Sequence, residues 1–394
     1  MTISRAVVLA AGEGTRLQPL THNRPKPMLP VGNRPILEYV LDALVDAGID
    51  ELHVVVGYRA ERVQAHVGPT YRGRPVTYHH QEKQLGSGHA LLQARAVLDE
   101  PILVINGDQV IDETIVETVQ AVHADGDGIA TLALVDSEAV DLYGGVDVTD
   151  GTVVELVDPR RTEESHLLNA GVYAFEPDIV DAVENVDPVT QEQSLLAGIQ
   201  QCIDQGHTVQ AAQTDALWAD ATYPWDVLSV SRELFTSGIA GSGGRQIHES
   251  ARIHEDASIT EPVAVGPDVE VGPGAVLGPH ASIGRNVTVG ANAVVENSVV
   301  DDDTRIGPGS TLVDCVTGQG VRVGAGSTVP GGPGPVRVDD RVFEDERLGA
   351  VLGDRSTAVG GVTFAPGTLV GPGTTISAGV AIDGRVPADA EVIR

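Results

Sequence analysis

The sequence predicts an α/β domain built on an open, mostly parallel sheet, followed in the same chain by a β-solenoid. Three observations carry that expectation. Up to residue 237, short β-branched runs alternate with helical patterns. From residue 247 onward, apolar residues recur every six positions. Between the two lies SGIAGSGGRQ, whose glycine and serine content suits a linker. The expected division is 1–237 for the α/β domain, 238–246 for the linker and 247–394 for the solenoid. A chain of 394 residues is long enough for two full cores.

In the first part the strands read as AVVLA at 6–10, LHVVVG at 52–57, ILVING at 102–107 and IATLALV at 129–135. Between them ILEYVLDALVDAG and HALLQARAVL place apolar residues three and four apart, the spacing of a helix face. Strands alternating with helices predict helices on both faces of the sheet.

In the second part Ile247, Ile253, Ile259, Val265, Val271, Leu277, Ile283, Val289 and Val295 fall on a strict six-residue period. Gly266, Gly272, Gly278, Gly284 and Gly290 follow five of them directly. Neither a helix of about 3.6 residues per turn nor the two-residue alternation of a strand produces this period. It predicts coils that stack identical inward side chains. The register breaks near 301 and resumes at Ile306 and Leu312, at Val323 and Val329, and at Val370, Ile376 and Ile382. The proline- and glycine-rich stretch at 330–349 predicts a loop expelled from the stack.

A formal charge of −31, spread along the chain, argues against a nucleic-acid or anionic-membrane partner. Such an acid excess resembles proteins of a high-salt cytoplasm, where the screening length shrinks to about 3 Å at 1 M salt. It predicts a halophilic fold that loosens at low salt. Cys202 and Cys315 are too few for a disulfide framework or a thiolate cage, and read as packed thiols of a reducing compartment. The N-terminal apolar run is too short for a secretory core, and no stretch approaches the ~20 apolar residues of a membrane span. The expected location is the cytoplasm.

Residues 9–30, LAAGEGTRLQPLTHNRPKPMLP, carry the densest chemistry. Gly12 and Gly14 after a strand allow either close approach of backbone to phosphate or a plain tight turn. Leu17 stands where a dinucleotide fingerprint wants a third glycine. Arg16 offers a rigid fork, and Lys26, between Pro25 and Pro27, offers a point charge. Lys26 is one of two lysines against twenty-three arginines, which argues for a specific use such as a triphosphate rather than a solvated basic tip. Asp108 closes ILVINGD at a strand end, where it can ligate a metal or cap a turn. Asp226 in YPWDVLSVSREL stands where it can cap the helix that follows.

The string GEGTRLQPLTHNRPKPMLPV is similar to the signature of the sugar-1-phosphate nucleotidyltransferases. The six-residue repeats resemble the hexapeptide-repeat family. Together the two likenesses resemble the bifunctional N-acetylglucosamine-1-phosphate uridyltransferase type. The resemblance implies a Rossmann-like domain followed by a left-handed parallel β-helix, a handedness that spacing alone does not give. It implies a nucleotide cradle of Leu9, Ala11, Gly12, Gly14, Gln81, Gly86 and Ser87, the last three in QEKQLGSGHA at 81–90. It also implies sugar contacts from Gly144, Glu155 and Asn169, Mg²⁺ on Asp108 and Asp226, and catalysis by Arg16 and Lys26. Where many relatives have a lysine soon after the glutamate, this chain has Leu156, and Arg160 or Arg161 could substitute.

The implied reaction takes a nucleoside triphosphate, UTP or dTTP, and a sugar 1-phosphate, of glucose or N-acetylglucosamine. A phosphate oxygen of the sugar attacks the α-phosphorus and pyrophosphate leaves, with no protein nucleophile. His280 is the last histidine and no lysine follows Lys83, so the base that acetyl transfer needs is wanting in the later coils. His254 and His280 are expected to face solvent. The β-helix therefore reads as a trimerising scaffold, with acetyltransferase activity as the lesser alternative. A non-catalytic regulatory subunit of the same fold is the other, and intact Arg16, Lys26, Asp108 and Asp226 speak against it.

Overall fold

The computed structural model describes residues 3–136, 144–157, 167–186, 193–238 and 244–393. By internal contacts the chain divides into two compact units. The first comprises Met1–Glu13, Pro25–Met28 and Ile36–Ala219, and the second Gly14–Arg24, Leu29–Pro35 and Asp220–Arg394.

The first unit is built on a ten-stranded sheet of β1 (Arg5–Ala10), β2 (Glu51–Val56), β3 (Thr70–Tyr71), β4 (Arg74–His80), β5 (Ile102–Asn106), β6 (Ala130–Asp136), β7 (Gly145–Thr149), β8 (Thr152–Val157), β9 (Leu167–Phe175) and β10 (Val209–Gln213). Their order is β7-β8-β10-β6-β9-β5-β1-β2-β4-β3. β5, β1, β2 and β4 run parallel, while β9 lies antiparallel between β6 and β5, so the open sheet is mixed. Side chains of β1 alternate in direction, as a strand must. Ala6, Val8 and Ala10 enter one core with Leu41 of α1 (Ile36–Asp46) and Val116 of α4 (Glu113–Asp125). Val7 turns to the other face, with Leu91 of α3 (Ser87–Gln93) and Ile199 of α6 (Leu195–Asp204). Helices thus cover both faces, as expected, with α2 (Ala60–Val67) on the first and α5 (Ile179–Glu184) on the second. Among the described residues no helix is long and apolar enough to cross a membrane.

One polar contact in this sheet gives a pH prediction. His53 of β2 is 6% exposed and its Nδ1 lies 3.2 Å from His79 Nε2 on the neighbouring β4. Burial pushes the pKa of both below 6.5; for His53 the neighbouring His79 adds to this and Glu51 opposes it. A lowered histidine value means the unfolded chain binds the extra proton, so stability is full above about pH 6.5 and falls as pH drops toward the folded values. The loss at His53 approaches about 1.4 kcal/mol per pH unit at most. Thermal melts between pH 7.5 and 5 are expected to fall more steeply for the wild type than for His53→Leu, and parallel curves would refute the assignment.

The second unit is a left-handed parallel β-helix whose short strands form three parallel sheets, two of eight strands and one of seven. Ile247 pairs with Val265 and Val265 with Ile283, eighteen residues apart, and their side chains stack along the core. The register break has a simple cause. Ile283 pairs with Val300 and Val289 with Ile306, so this coil is one residue short and the inward position moves to Val300. At 330–349, Gly334–Val338 and Arg341–Glu346 form an antiparallel hairpin, and the stack resumes where Ala350 pairs with Cys315.

Helix α7 (Asp226–Ser237) packs on strands Ser298–Val300 and Cys315–Thr317. Its Phe235 ring lies 6.3 Å from the ring of His280. His280 is consequently only partly open to solvent, where a solvent-facing side chain was expected. It is partly buried, its Nδ1 has no hydrogen-bond partner among the described residues, and burial lowers its pKa. A helix distant from it in sequence, on its N-terminal side, supplies the cover, so the local pattern could not reveal it. His254 is exposed beside Asp256, as expected. Both cysteines are free and buried, and burial pushes the Cys315 thiol up to about 12, which keeps it protonated.

Candidate active site

In the first unit the carboxyl ends of β1, β2 and β5 meet. Leu9 O accepts from Gly107 N at 2.9 Å, and Ala11 O accepts from Tyr58 N at 3.2 Å and Gln84 Nε2 at 3.3 Å. A Cβ at Gly57 would sit 2.9 Å from Ala11 O and 3.1 Å from Gln81 O, so the loops after β1, β2 and β4 close up on a residue without a side chain. Gln81 is buried, and its Nε2 donates to Gly86 O at 3.0 Å and lies 3.0 Å from His89 Nδ1. Ser87 Oγ accepts from Leu195 N at 3.1 Å, tying α3 to the start of α6. The structure thus joins Leu9, Ala11, Gln81, Gly86 and Ser87 in one cluster of loops. Gly12 is exposed, with open space where a Cβ would point.

Lys26 is 8% exposed, and its Nζ lies 3.0 Å from Asp108 Oδ2. Pro25–Met28 closes as a turn with Met28 N on Pro25 O, which holds the lysine inward. The Asp108 side chain keeps 35% of its surface accessible, so a ligand can reach the carboxylate the lysine holds. Asn169 of β9 donates from Nδ2 to Tyr173 OH at 2.8 Å and accepts from Gly171 N at 3.2 Å. Burial pushes the Tyr173 phenol up to about 12, and the Asp108 charge acts in the same direction. It therefore stays protonated at neutral pH.

Between Asn169 and Tyr173 the register with β6 shifts, and Gly171 takes a φ of 69°. A Cβ there would run into the side chains of Asn106 and Gln109. Gln109 is itself buried, with no partner for Oε1 among the described residues. Tyr173, Asn106 and Gln109 are polar groups the sequence reading missed. The signals were present as NGDQ at the strand end and a tyrosine four residues after Asn169. Gly144 is buried just before β7, and Glu155 sits opposite Asp147 on β8, three strands from β9 in sheet order. Arg160 and Arg161 lie outside the described residues.

The second unit holds the other expected residues. Gly14 takes a φ of 67°, and its carbonyl accepts from Leu17 N at 3.0 Å and Thr21 Oγ1 at 2.7 Å. Arg16, in this turn, is exposed. Asp226 Oδ2 accepts from Thr222 N at 2.9 Å and Tyr223 N at 2.7 Å, so this carboxylate fixes the turn ahead of its own helix. Sequence reading passed over Arg24. Its guanidinium lies 2.6 Å from Asp301 and 3.0 Å from Asp354, all three side chains buried.

A family model described as nucleotidyl transferase matches residues 5–236, more than half of the chain. The chain belongs to the nucleotidyl transferase family. A second model, described as GMPPB C-terminal domain, matches residues 259–386 of this nucleotidyl transferase. UTP–glucose-1-phosphate uridylyltransferase AglF of Haloferax volcanii is 37% identical over 225 residues, which are 56% of this chain and 93% of AglF. The bifunctional protein GlmU of Methanococcus maripaludis strain C7 is 31% identical over 61% of this chain, and the match spans 56% of GlmU, just over half its length. The low-salt glycan biosynthesis nucleotidyltransferase Agl11 of Haloferax volcanii is 32% identical over 58% of this chain and 65% of its own. The crystal structure of a UDP-glucose pyrophosphorylase complexed with UDP-glucose superposes with a TM-score of 0.54 and 21% identity. It covers 60% of this chain and 99% of that one, a likeness of fold. The class read from the signature, a sugar-1-phosphate nucleotidyltransferase, is borne out.

Proposed function

We propose that this nucleotidyl transferase makes a nucleoside-diphosphate sugar from UTP, or secondarily dTTP, and the 1-phosphate of glucose or N-acetylglucosamine. The observation that carries the reading is the buried Lys26 held 3.0 Å from Asp108 at the carboxyl end of the parallel strands. A lysine paired there with a partly accessible carboxylate suits a polyanionic ligand. The identity with AglF supports the uridine donor and the glucose acceptor.

In this reading Leu9, Ala11, Gly12, Gly14, Gln81, Gly86 and Ser87 hold the nucleotide, and Arg16 and Lys26 neutralise the phosphates. Gly144, Glu155 and Asn169 hold the sugar. Bringing the sugar phosphate oxygen and the α-phosphorus into line accounts for much of the rate, since no protein nucleophile takes part. Asp108 and Asp226 would hold Mg²⁺, and the accessible carboxylate of Asp108 fits an ion that takes few protein oxygens and completes its shell with water and phosphate. When bound, that ion offsets the charge of the triphosphate and of the leaving pyrophosphate. The acid excess favours work in a high-salt cytoplasm, and the β-helix favours a homotrimer. The domain limits 1–237, 238–246 and 247–394 are retained with it.

Pyrophosphate release in molar KCl, measured for UTP, dTTP, CTP and GTP against the 1-phosphates of glucose, N-acetylglucosamine and mannose, tests the substrates. The highest kcat/KM is expected with UTP and glucose 1-phosphate or N-acetylglucosamine 1-phosphate. A clear preference for GTP with mannose 1-phosphate would overturn the assignment.

A further inference from the structure

Arg24 stands two residues before Lys26 in the signature, yet its side chain is engaged by the β-helix. It is 7% exposed, Asp301 7% and Asp354 5%. Asn23 adds a bond from Nδ2 to Asp354 Oδ2 at 3.2 Å, and Asn33 donates to Ile283 O at 2.8 Å. The stretch from Gly14 to Arg24 is thereby closed on itself by Thr21 and Gly14 at one end and pinned to the coils at the other.

The two carboxylates are built into coil corners. Along this edge the inward residue is followed by glycine at Gly266, Gly284, Gly318, Gly353 and Gly371. In the shortened coil Val300 is followed by Asp301 instead, and Asp354 follows Gly353 two coils on. Backbone fixes both acids before any arginine arrives. Asp302 N donates to Asp301 Oδ1 at 2.7 Å and Gln319 N to Asp354 Oδ1 at 2.9 Å. Gly318 leaves the room, since a Cβ there would collide with Asp354. Stacking of the coils does not require an acid at these corners, and buried carboxylates are costly without a cation. A planar fork that meets both answers that cost in a way lysine cannot.

We propose that Arg24 is a positioning residue: docked on Asp301 and Asp354, it holds residues 14–24 in the conformation that receives a nucleoside triphosphate. The β-helix is then the template of the phosphate-binding segment as well as a scaffold. The ligand rests on the transfer reading above, so the test reads segment and ligand separately.

The full chain is compared as wild type, Arg24→Met, Arg24→Lys, the near-isosteric double variant Asp301→Asn with Asp354→Asn, and Arg347→Met. The last removes a different arginine–aspartate pair of the β-helix, Arg347 Nε to Asp314 at 3.2 Å. Hydrogen exchange is followed at 14–24 and at 102–106, with kcat and KM for UTP. Arg24→Met and the double variant are expected to exchange faster at 14–24 only and to raise KM at least about 10-fold. Arg24→Lys should recover part of this, and Arg347→Met should lower Tm with KM unchanged. Wild-type exchange at 14–24 in both anchor variants, faster exchange with unchanged KM, or an equal KM rise in Arg347→Met would each overturn the proposal. If the wild type turns over no substrate pair, UTP binding by equilibrium dialysis replaces KM. Binding lost only in the anchor variants then supports positioning while the transfer reading fails. If the double variant folds and binds UTP like the wild type, positioning fails by itself.

Discussion

Lys26→Ala is expected to lose about 10³-fold in kcat/KM, about 4 kcal/mol of transition-state stabilisation, with its far-UV circular dichroism unchanged. The size follows from where the charge sits. Lys26 is almost wholly buried, so its attraction to phosphate is far less screened than that of a surface lysine. Its partner Asp108 keeps a third of its side chain exposed, so removing the lysine strands no buried carboxylate and the fold survives. Lys26→Arg is expected to recover little, because a bulkier planar guanidinium must enter a site in which the lysine is already nearly buried. Steady-state kinetics on folded variants check this, and kcat/KM within tenfold of wild type for Lys26→Ala would remove the lysine from the chemistry.

Phe364→Ala is expected to destabilise the β-helix by about 3–5 kcal/mol. Phe364 is fully buried in the core of the coils, next to Ile382 in register, where most of the stacked positions are Val, Ile or Leu. Parallel strands above and below hold the coils at fixed spacing, so the cavity cannot collapse. Chemical denaturation in molar KCl should show a lower midpoint for the β-helix transition at an unchanged slope. A shift worth less than about 1 kcal/mol would mean that the coils repack around the gap.

The fold was largely legible because both halves write a local period into the chain. The six-residue repeat announced the coils, and its slip near 301 marked a coil one residue short. The placement of part of the candidate site was legible where motifs end strands: Leu9, Ala11, Lys26 and Asp108 all lie at carboxyl ends of β1 and β5 or against them. What escaped was held by long-range contacts. Tyr173 and Gln109 meet Asn169 and Gly171 through a bulge whose register no local pattern sets. Arg24 is joined to acids about three hundred residues away. The clue to that anchor was an aspartate in a corner where the neighbouring coils carry glycine.

The most direct test of single-step nucleotidyl transfer follows labelled pyrophosphate into UTP, with Mg²⁺ and molar KCl present. With UDP-glucose or UDP-N-acetylglucosamine supplied, label is expected in UTP together with release of the sugar 1-phosphate. With UTP alone, no label should enter, because no nucleotidyl group is ever carried by the protein. Label entering from UTP alone would contradict direct displacement, and no label with any nucleotide sugar would contradict the activity itself.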